Sequence, residues 1–385
     1  MKTVSLIVGV LVILSVLLDA FETVVLPRRV QHQFRLSSWF YRKTWRLWRR
    51  ICSKIKSHSR RENVLGYFGP LSLLFLLALW AAGLIFGFAF LQYGAGDHLQ
   101  FNSEPITFGR LIYHSGETFF TLGYGDIVPV SGIARAFAVL EAGMGFGFLG
   151  TVIGYLPTIY SSFSRREIEI SLLDARAGSP PSAAELLGRF GSPPQQEALD
   201  QIFRNWERWA AEVLESHLSY PALSFFRSQH NNQSWLGALT TVLDTSALVL
   251  AGVDGLRKEQ AMVTFAMARH AVVDLAQVIN ARYDPAVPDR LPPAELARLR
   301  QTLAERGVTL VEGSEPEEKL TRLRAMYEPY AQGVARNLLI SLPPWVHPEK
   351  KKDNWQSGPW DRAIQARSLG ELSIRQERRR AEEHF

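Results

Sequence analysis

The chain has 385 residues, a formal net charge of +6 and a single cysteine, Cys52. One cysteine excludes an intrachain disulfide. Apolar residues make up 47% of the chain, and long uncharged runs occur only in its N-terminal part, which excludes a uniformly water-soluble protein. The composition predicts a membrane part followed by a water-soluble part.

Three N-terminal segments have the length that a bilayer-spanning helix needs, roughly 20 apolar residues. They lie at about Val4–Val25, within the charge-free run Asn63–Gly96, and at about Ile133–Tyr155. The first, in residues 1–26, has the alternative of being a signal peptide. No A-x-A-like cleavage site follows it, and a basic block comes next, which favours a retained transmembrane helix.

The loop after the first segment fixes the predicted orientation. Residues 28–61 hold twelve Lys or Arg and no Asp or Glu, so the positive-inside rule places the loop, residues 27–62, in the cytoplasm. The N-terminus is then outside, and the chain after the third segment is cytoplasmic. Basic and aromatic residues alternate at helical spacing over Ser38–Lys56, which predicts an interfacial amphipathic helix. We expect Arg42–Lys56 to contact anionic lipids, with a simple topological anchor as the alternative.

A short motif, Thr121-Leu122-Gly123-Tyr124-Gly125-Asp126, lies between the second and third segments. A short helix is predicted before it, over Thr107–Phe120, with Thr107 as N-cap. The two glycines tolerate backbone conformations that other residues avoid, so that consecutive carbonyls can face one axis. The apolar run after the motif contains several glycines.

These features resemble the pore domain of the two-transmembrane ion-channel family, and in particular potassium channels. Such channels replace the water around the ion with rings of carbonyl oxygens from four TVGYG-type loops. The resemblance implies an outer helix, a re-entrant pore helix and an inner helix within residues 63–160, arranged as a homotetramer, with K⁺ as the transported ion and no cofactor. It assigns the selectivity filter to Thr121, Leu122, Gly123, Tyr124, Gly125 and Asp126, and filter support to Glu117 and Thr118.

The sequence departs from the usual family pattern at several positions. Leu122 stands where Val is commonest, and Phe120 where a second Thr is usual. Tyr113 and His114 replace aromatic residues, often Trp, that brace the filter in many relatives. The departures leave open a weakly selective cation channel, and a membrane sensor or scaffold with a silent pore is a further alternative.

The inner helix holds two candidates for gating. Gly145 falls at the family's hinge glycine, and Pro157 near the inner end is a candidate kink. The alternative for the glycines is close helix packing. Glu141, an ionisable residue within the span, is either functional or paired with Arg135 or with a hydroxyl of the pore helix.

The C-terminal half reads as a linker (161–194), a cytoplasmic helical domain (195–345) that is the candidate control of gating, and a charged tail (346–385). We expect Asp244, Arg269, His270 and Asp274 to form internal ion pairs, with a ligand pocket as the alternative. Nucleotide-binding glycine turns, metal-ligand patterns and catalytic serine motifs do not stand out, so no enzyme is predicted. Helices are predicted near 234–252, 256–281, 293–305 and 315–340, with a short strand within 307–313.

The whole sequence therefore predicts an all-α membrane protein of the cell membrane: a tetrameric pore with an added N-terminal helix and a C-terminal helical domain.

Overall fold

A computed structural model describes residues 2–26, 35–96, 99–100, 107–283, 288–347 and 360. The basic runs Lys350–Lys352 and Arg378–Arg380 lie outside the described residues, as do residues 27–34 of the basic loop. The described chain is almost entirely helical, which confirms an all-α membrane protein. Contacts divide it into two compact units: residues 1–48 with 70–161, and residues 49–69 with 162–385.

The helices of the N-terminal part follow the predicted order. They are α1 (Lys2–Ala20), α2 (Leu36–Cys52), α3 (His58–Ala95), α4 (Phe108–Phe119) and α5 (Gly132–Ala177). Two short strands, β1 (Leu99–Gln100) and β2 (Val128–Pro129), pair antiparallel and join the end of α3 to the chain after the motif. Among the described residues, four helical segments are long and apolar enough to cross a bilayer: Lys2–Val25, α3, α5 and the later helix Trp235–Gly252.

The first helix packs closely against α3. A Cβ added at Gly87 would lie 2.6 Å from Ile13, and one added at Gly94 would lie 2.6 Å from Leu6. The Ser5 hydroxyl donates to the carbonyl of Phe90 at 2.9 Å. Small residues let helix backbones approach closely in lipid, so these glycines set the α1–α3 contact.

Asp19, the acidic residue late in α1, is buried, and its carboxylate forms hydrogen bonds with two neighbouring helices. Its carboxylate accepts from the backbone N–H and hydroxyl of Ser37 at the start of α2, at 3.1 and 2.9 Å. The indole N–H of Trp80 donates to it at 2.8 Å. The charged residue within this apolar span therefore caps α2 and joins three helices, since helix N-termini favour a carboxylate.

The second unit forms a helical core after α5. Its helices are α6 (Ala183–Phe190), α7 (Gln196–Ser219), α8 (Trp235–Gly252), α9 (Glu259–Val278), α10 (Pro293–Ala304), α11 (Ser314–Ala325) and α12 (Glu328–Leu338). The apolar stretch of α8 is 94% buried within the protein, as expected for a core helix. Val253 forms an isolated bridge with Leu310, where a short strand is predicted.

Two boundary predictions need correction. Residues 161–194 are not a linker: α5 continues to Ala177, and Leu173 and Leu186 are wholly buried because they pack into the helical core. The single helix predicted over 315–340 is two helices, separated at Tyr327, since Pro329 lies in the first turn of α12 and cannot donate a backbone hydrogen bond.

Asp244 is an internal ion-pair residue, as the sequence favours. Arg290 donates to both carboxylate oxygens at 3.1 and 2.8 Å, and the hydroxyl of Tyr327 donates at 2.5 Å. Burial and the Asp244 carboxylate raise the pKa of Tyr327 well above its usual value. His270, by contrast, is 61% exposed and lies 3.9 Å from Asp274 on α9. It is therefore not part of a buried ligand pocket with Asp244.

Candidate functional site

The short helix before the glycine motif begins as its sequence predicts. The side chain of Thr107 accepts from the backbone N–H of Arg110 at 3.4 Å, and α4 ends at Phe119. Leu111 packs in an apolar cluster with Ala89 of α3 and Ala134 of α5. The first turn of α4 is therefore placed by contacts with α3 and α5.

The backbone after α4 alternates between two conformations. Thr121, Gly123 and Gly125 have φ of 57°, 59° and 76°, while Leu122 and Tyr124 keep negative φ. Left-handed and right-handed residues in alternation bring backbone N–H groups to one side of a chain and carbonyls to the other. Two hydrogen bonds anchor the stretch to α4: Leu122 N–H donates to the carbonyl of Glu117 at 2.7 Å, and Thr121 N–H to that of Thr118 at 3.1 Å.

A buried carboxylate lies behind this stretch. Oε2 of Glu117 accepts from the backbone N–H of Tyr124 at 3.3 Å, and Oε1 lies 3.1 Å from Nδ1 of His114. At the end of the motif, the carboxylate of Asp126 accepts from Ile127 N–H at 3.1 Å, and Tyr113 lies near it. Glu117 thus links His114 to the motif through hydrogen bonds.

The front of the motif is open in the single chain. Leu122 is 57% exposed and Tyr124 is 70% exposed. The inner helix beside it is similarly uncovered, with only 11% of its apolar window buried within the chain. In a single copy of the chain, this face of the motif and of α5 is therefore left uncovered.

Gly145 is the place where α5 touches the end of the pore helix. A Cβ added there would lie 1.9 Å from the carbonyl oxygen of Phe119, whereas one added at Gly143 or Gly147 would meet nothing within 4 Å. The helix runs unbroken past Pro157. The geometry thus gives Gly145 a packing role, and its role as a hinge stays a prediction.

Glu141, one turn before Gly145, is completely buried. The hydroxyl of Ser115 on α4 hydrogen-bonds to it and also lies 2.7 Å from the carbonyl of Ile85 on α3. Arg135 instead donates to the carbonyl of Pro129 at 3.2 Å. Of the two partners considered from the sequence, the hydroxyl of the pore helix is the one observed, and Ser115 links three helices.

Residues 221–231, here called the linking segment, contact the base of α3 within the second unit. A Cβ on Gly69 would lie 2.7 Å from the ring of Phe226. Arg227 forms an ion pair with Glu62 at 3.6 Å, and Asn231 donates to the hydroxyl of Ser59 at 3.3 Å.

The same segment also contacts the part of α5 that lies in the second unit. The guanidinium of Arg166 donates to the carbonyls of Leu223 and Phe226 at 3.0 and 2.9 Å, and the indole of Trp209 donates to the carbonyl of Arg166 at 3.2 Å. Arg166 also lies 3.2 Å from Nε2 of His217. Burial, together with the Arg166 charge, lowers the pKa of His217 well below its usual value, so the ring is neutral.

Sequence reasoning did not find the linking segment. The contacts of the segment come from a short 3₁₀ turn and irregular chain, which have no hydrophobic periodicity. The only available signal was an arginine followed directly by Glu167, its ion-pair partner at 2.9 Å.

The outward face of α2 combines charge with apolar side chains. Trp39, Leu47 and Ile51 are each more than half exposed, while Phe40 and Trp45 are buried. The exposed basic side chains on the helix are Arg42, Lys43, Arg46, Arg49 and Arg50. Among the residues that the structure describes, no group of three His, Cys, Asp or Glu side chains is placed to hold a metal ion.

Comparison with known proteins assigns the central part of the chain. Residues 74–161 match the family model described as an ion channel. In addition, an uncharacterized membrane protein, YdjJ of Bacillus subtilis (strain 168), is 21% identical over 270 residues, which cover 69% of this chain and 75% of the relative. No solved structure matches the chain. Residues 74–161 are thus similar to ion channels of the two-transmembrane type, within an all-α membrane protein.

The contact at Gly145 predicts a sharp difference between neighbouring glycines. Gly145→Ala places a methyl group against the Phe119 carbonyl, and overpacking of this kind costs about 1–3 kcal/mol. We expect a lower midpoint of thermal unfolding for Gly145→Ala in detergent, and little change for the control Gly143→Ala. Equal midpoints for the two variants would contradict the packing role.

Proposed function

We propose that this protein is a potassium-selective channel that conducts K⁺ passively through a homotetrameric pore. The observation that carries the proposal is the alternating backbone of Thr121, Gly123 and Gly125, held from behind by Glu117 and Thr118. Carbonyls of residues 121–124, with the Thr121 hydroxyl, would replace the water around a dehydrated ion. Repulsion between ions in neighbouring sites then keeps the file moving.

The tetramer follows from the filter. Each chain supplies one copy of the motif, and carbonyl rings of this type are built from four loops. The exposure of Tyr124 and of the inner helix in the single chain supports this assembly, because both surfaces are apolar and lie beside the proposed ion path. Asp126 at the outer end would place negative charge at the mouth facing the exterior.

A weakly selective cation channel is the second candidate. Phe120, where a hydroxyl residue is usual, is 58% exposed at the inner end of the filter. A phenyl ring supplies no oxygen ligand, so the innermost position depends on Thr121 alone. The two candidates therefore differ in the number of ordered oxygen sites that the filter offers to the ion.

Conduction is expected to depend on the conformation of Gly123. At its φ of 59°, any residue with a Cβ is strained by roughly 1–2 kcal/mol, which favours rotation of the neighbouring peptides. Gly123→Ala should reduce K⁺ flux into liposomes at least tenfold while the tetramer remains assembled. Gly116→Ala, in the pore helix and without close neighbours in the chain, is the control. Wild-type flux in Gly123→Ala would contradict the filter assignment.

We also propose that the cytoplasmic helical domain controls gating through the linking segment. The proposal is supported by its contacts with both helices: Arg227 with Glu62 at the base of α3, and the carbonyls of Leu223 and Phe226 with Arg166 on α5. Because α5 is continuous from the pore to Ala177, a displacement of the segment would be transmitted to the inner helix.

Weakening one side of this link should change gating without changing the filter. Glu62→Gln removes the charge partner of the buried Arg227 guanidinium. A change of about 1 kcal/mol corresponds to roughly fivefold in an equilibrium, so we expect a threefold to tenfold change in open probability with unaltered ion selectivity. Glu197→Gln, from the exposed pair with Arg204, is the matched control. The gating proposal fails if both variants gate like the wild type.

The outward face of α2 is proposed to contact anionic lipid headgroups of the inner leaflet. Each Lys or Arg near an anionic surface contributes about 1 kcal/mol of attraction. Trp39, Leu47 and Ile51 on the same exposed face suit the boundary between headgroups and acyl chains.

Lipid dependence tests this contact. Phosphatidylglycerol added to the detergent-solubilised protein should raise its thermal midpoint more than phosphatidylcholine does. The triple variant Arg42→Gln, Arg46→Gln, Arg49→Gln should lose more than half of that difference, while Arg204→Gln in the cytoplasmic domain should keep it. An undiminished difference in the triple variant would reject the site.

A further inference from the structure

We propose that His114 is a positioning residue of the filter: it holds the Glu117 carboxylate in place, and Glu117 in turn orients the Gly123 carbonyl toward the ion. The inference rests on the proposed function of residues 121–126 as a potassium filter. His114 is otherwise notable only because it stands where many relatives of the family carry an aromatic residue.

The contacts form a chain from the pore helix to the filter. His114 and Glu117 lie on the same face of α4, three residues apart, and both are almost completely buried. Nδ1 of the imidazole is 3.1 Å from Oε1 of Glu117, and Oε2 is 3.3 Å from the backbone nitrogen of Tyr124. Each carboxylate oxygen therefore has a different partner, one on the pore helix and one on the filter.

The chemistry of the groups fixes the direction of these bonds. The backbone N–H of Tyr124 is a donor only, and an ionised carboxylate is an acceptor only. For an ionised Glu117, the imidazole then donates from Nδ1, so that each carboxylate oxygen receives one proton donor. An apolar side chain at position 114 would leave Oε1 buried without a donor and would free the carboxylate to rotate away from Tyr124.

The planarity of the peptide bond connects this contact to the ion path. The N–H of Tyr124 belongs to the same trans peptide as the carbonyl of Gly123, and the two point in opposite directions. Holding that N–H toward Glu117, behind the filter, turns the Gly123 carbonyl to the other side. His114 thus acts on a carbonyl that it does not touch.

Two other contacts of the same region are independent of His114. The backbone carbonyl of Glu117 accepts from Leu122 N–H at 2.7 Å, and Tyr113 contacts Asp126 at the outer end. Loss of the imidazole should therefore disturb the middle of the filter while the loop as a whole stays attached. A change in selectivity is expected, with assembly retained.

Two amide substitutions separate positioning from packing. In His114→Asn the side-chain NH₂ stands about where Nδ1 stands, and in His114→Gln it stands about where Nε2 stands. Both are polar and smaller than or similar to the imidazole, so both should assemble. For the full-length channel in planar bilayers, we expect His114→Asn to keep the K⁺/Na⁺ permeability ratio within threefold and His114→Gln to lower it at least tenfold.

His114→Leu and a double variant complete the design. His114→Leu should lower the ratio like His114→Gln, and adding Glu117→Gln to it should cause little further loss, because the two residues act through one contact. Size-exclusion chromatography of each variant checks that the tetramer is present.

Equal ratios for the Asn and Gln variants, whether both high or both low, would overturn the positioning role. Additive losses in the double variant would do the same. Failure of the underlying function is recognised separately, from the wild type alone: a wild-type channel that does not prefer K⁺ over Na⁺ removes the filter, and the role of His114 with it.

Discussion

The arrangement of the pore domain depends on one constraint: the backbone N–H groups of the motif must be held behind the chain so that the carbonyls face forward. Glu117 meets this constraint twice, with its backbone carbonyl on Leu122 N–H and its carboxylate on Tyr124 N–H. The carboxylate can do so only because α4 is fixed in turn. Ser115 joins α4 to Glu141 of α5 and lies beside the carbonyl of Ile85, and Gly145 lets α5 approach the end of α4.

Within the second unit, buried polar groups of the long helices are also satisfied by a neighbouring segment. A buried arginine, Arg166, would be costly unless its donors were satisfied, and two carbonyls of the linking segment satisfy them. The segment also packs Phe226 against Gly69 of α3. The outer and inner helices therefore share one partner within the second unit, which suits a domain whose proposed role is to change the position of the inner helix.

Features that depend on local chemistry were predictable from the sequence. The N-cap at Thr107, the pore helix and the helical span of α8 follow from capping preference and hydrophobic pattern, and the hydroxyl partner of Glu141 was one of two alternatives. Features that depend on contacts between residues far apart in the sequence were not predictable. The sequence pattern does not indicate that Gly145 approaches Phe119 or that an irregular segment satisfies Arg166. The predicted linker is helical because Leu173 packs into the core of the second unit.

Selectivity is the central claim, and the reversal potential measures it directly. The purified full-length protein in a planar bilayer, with KCl on one side and NaCl at equal concentration on the other, should give currents that reverse close to the potassium equilibrium potential. A reversal potential near zero, which means equal permeability to the two cations, would contradict the account and favour the weakly selective channel.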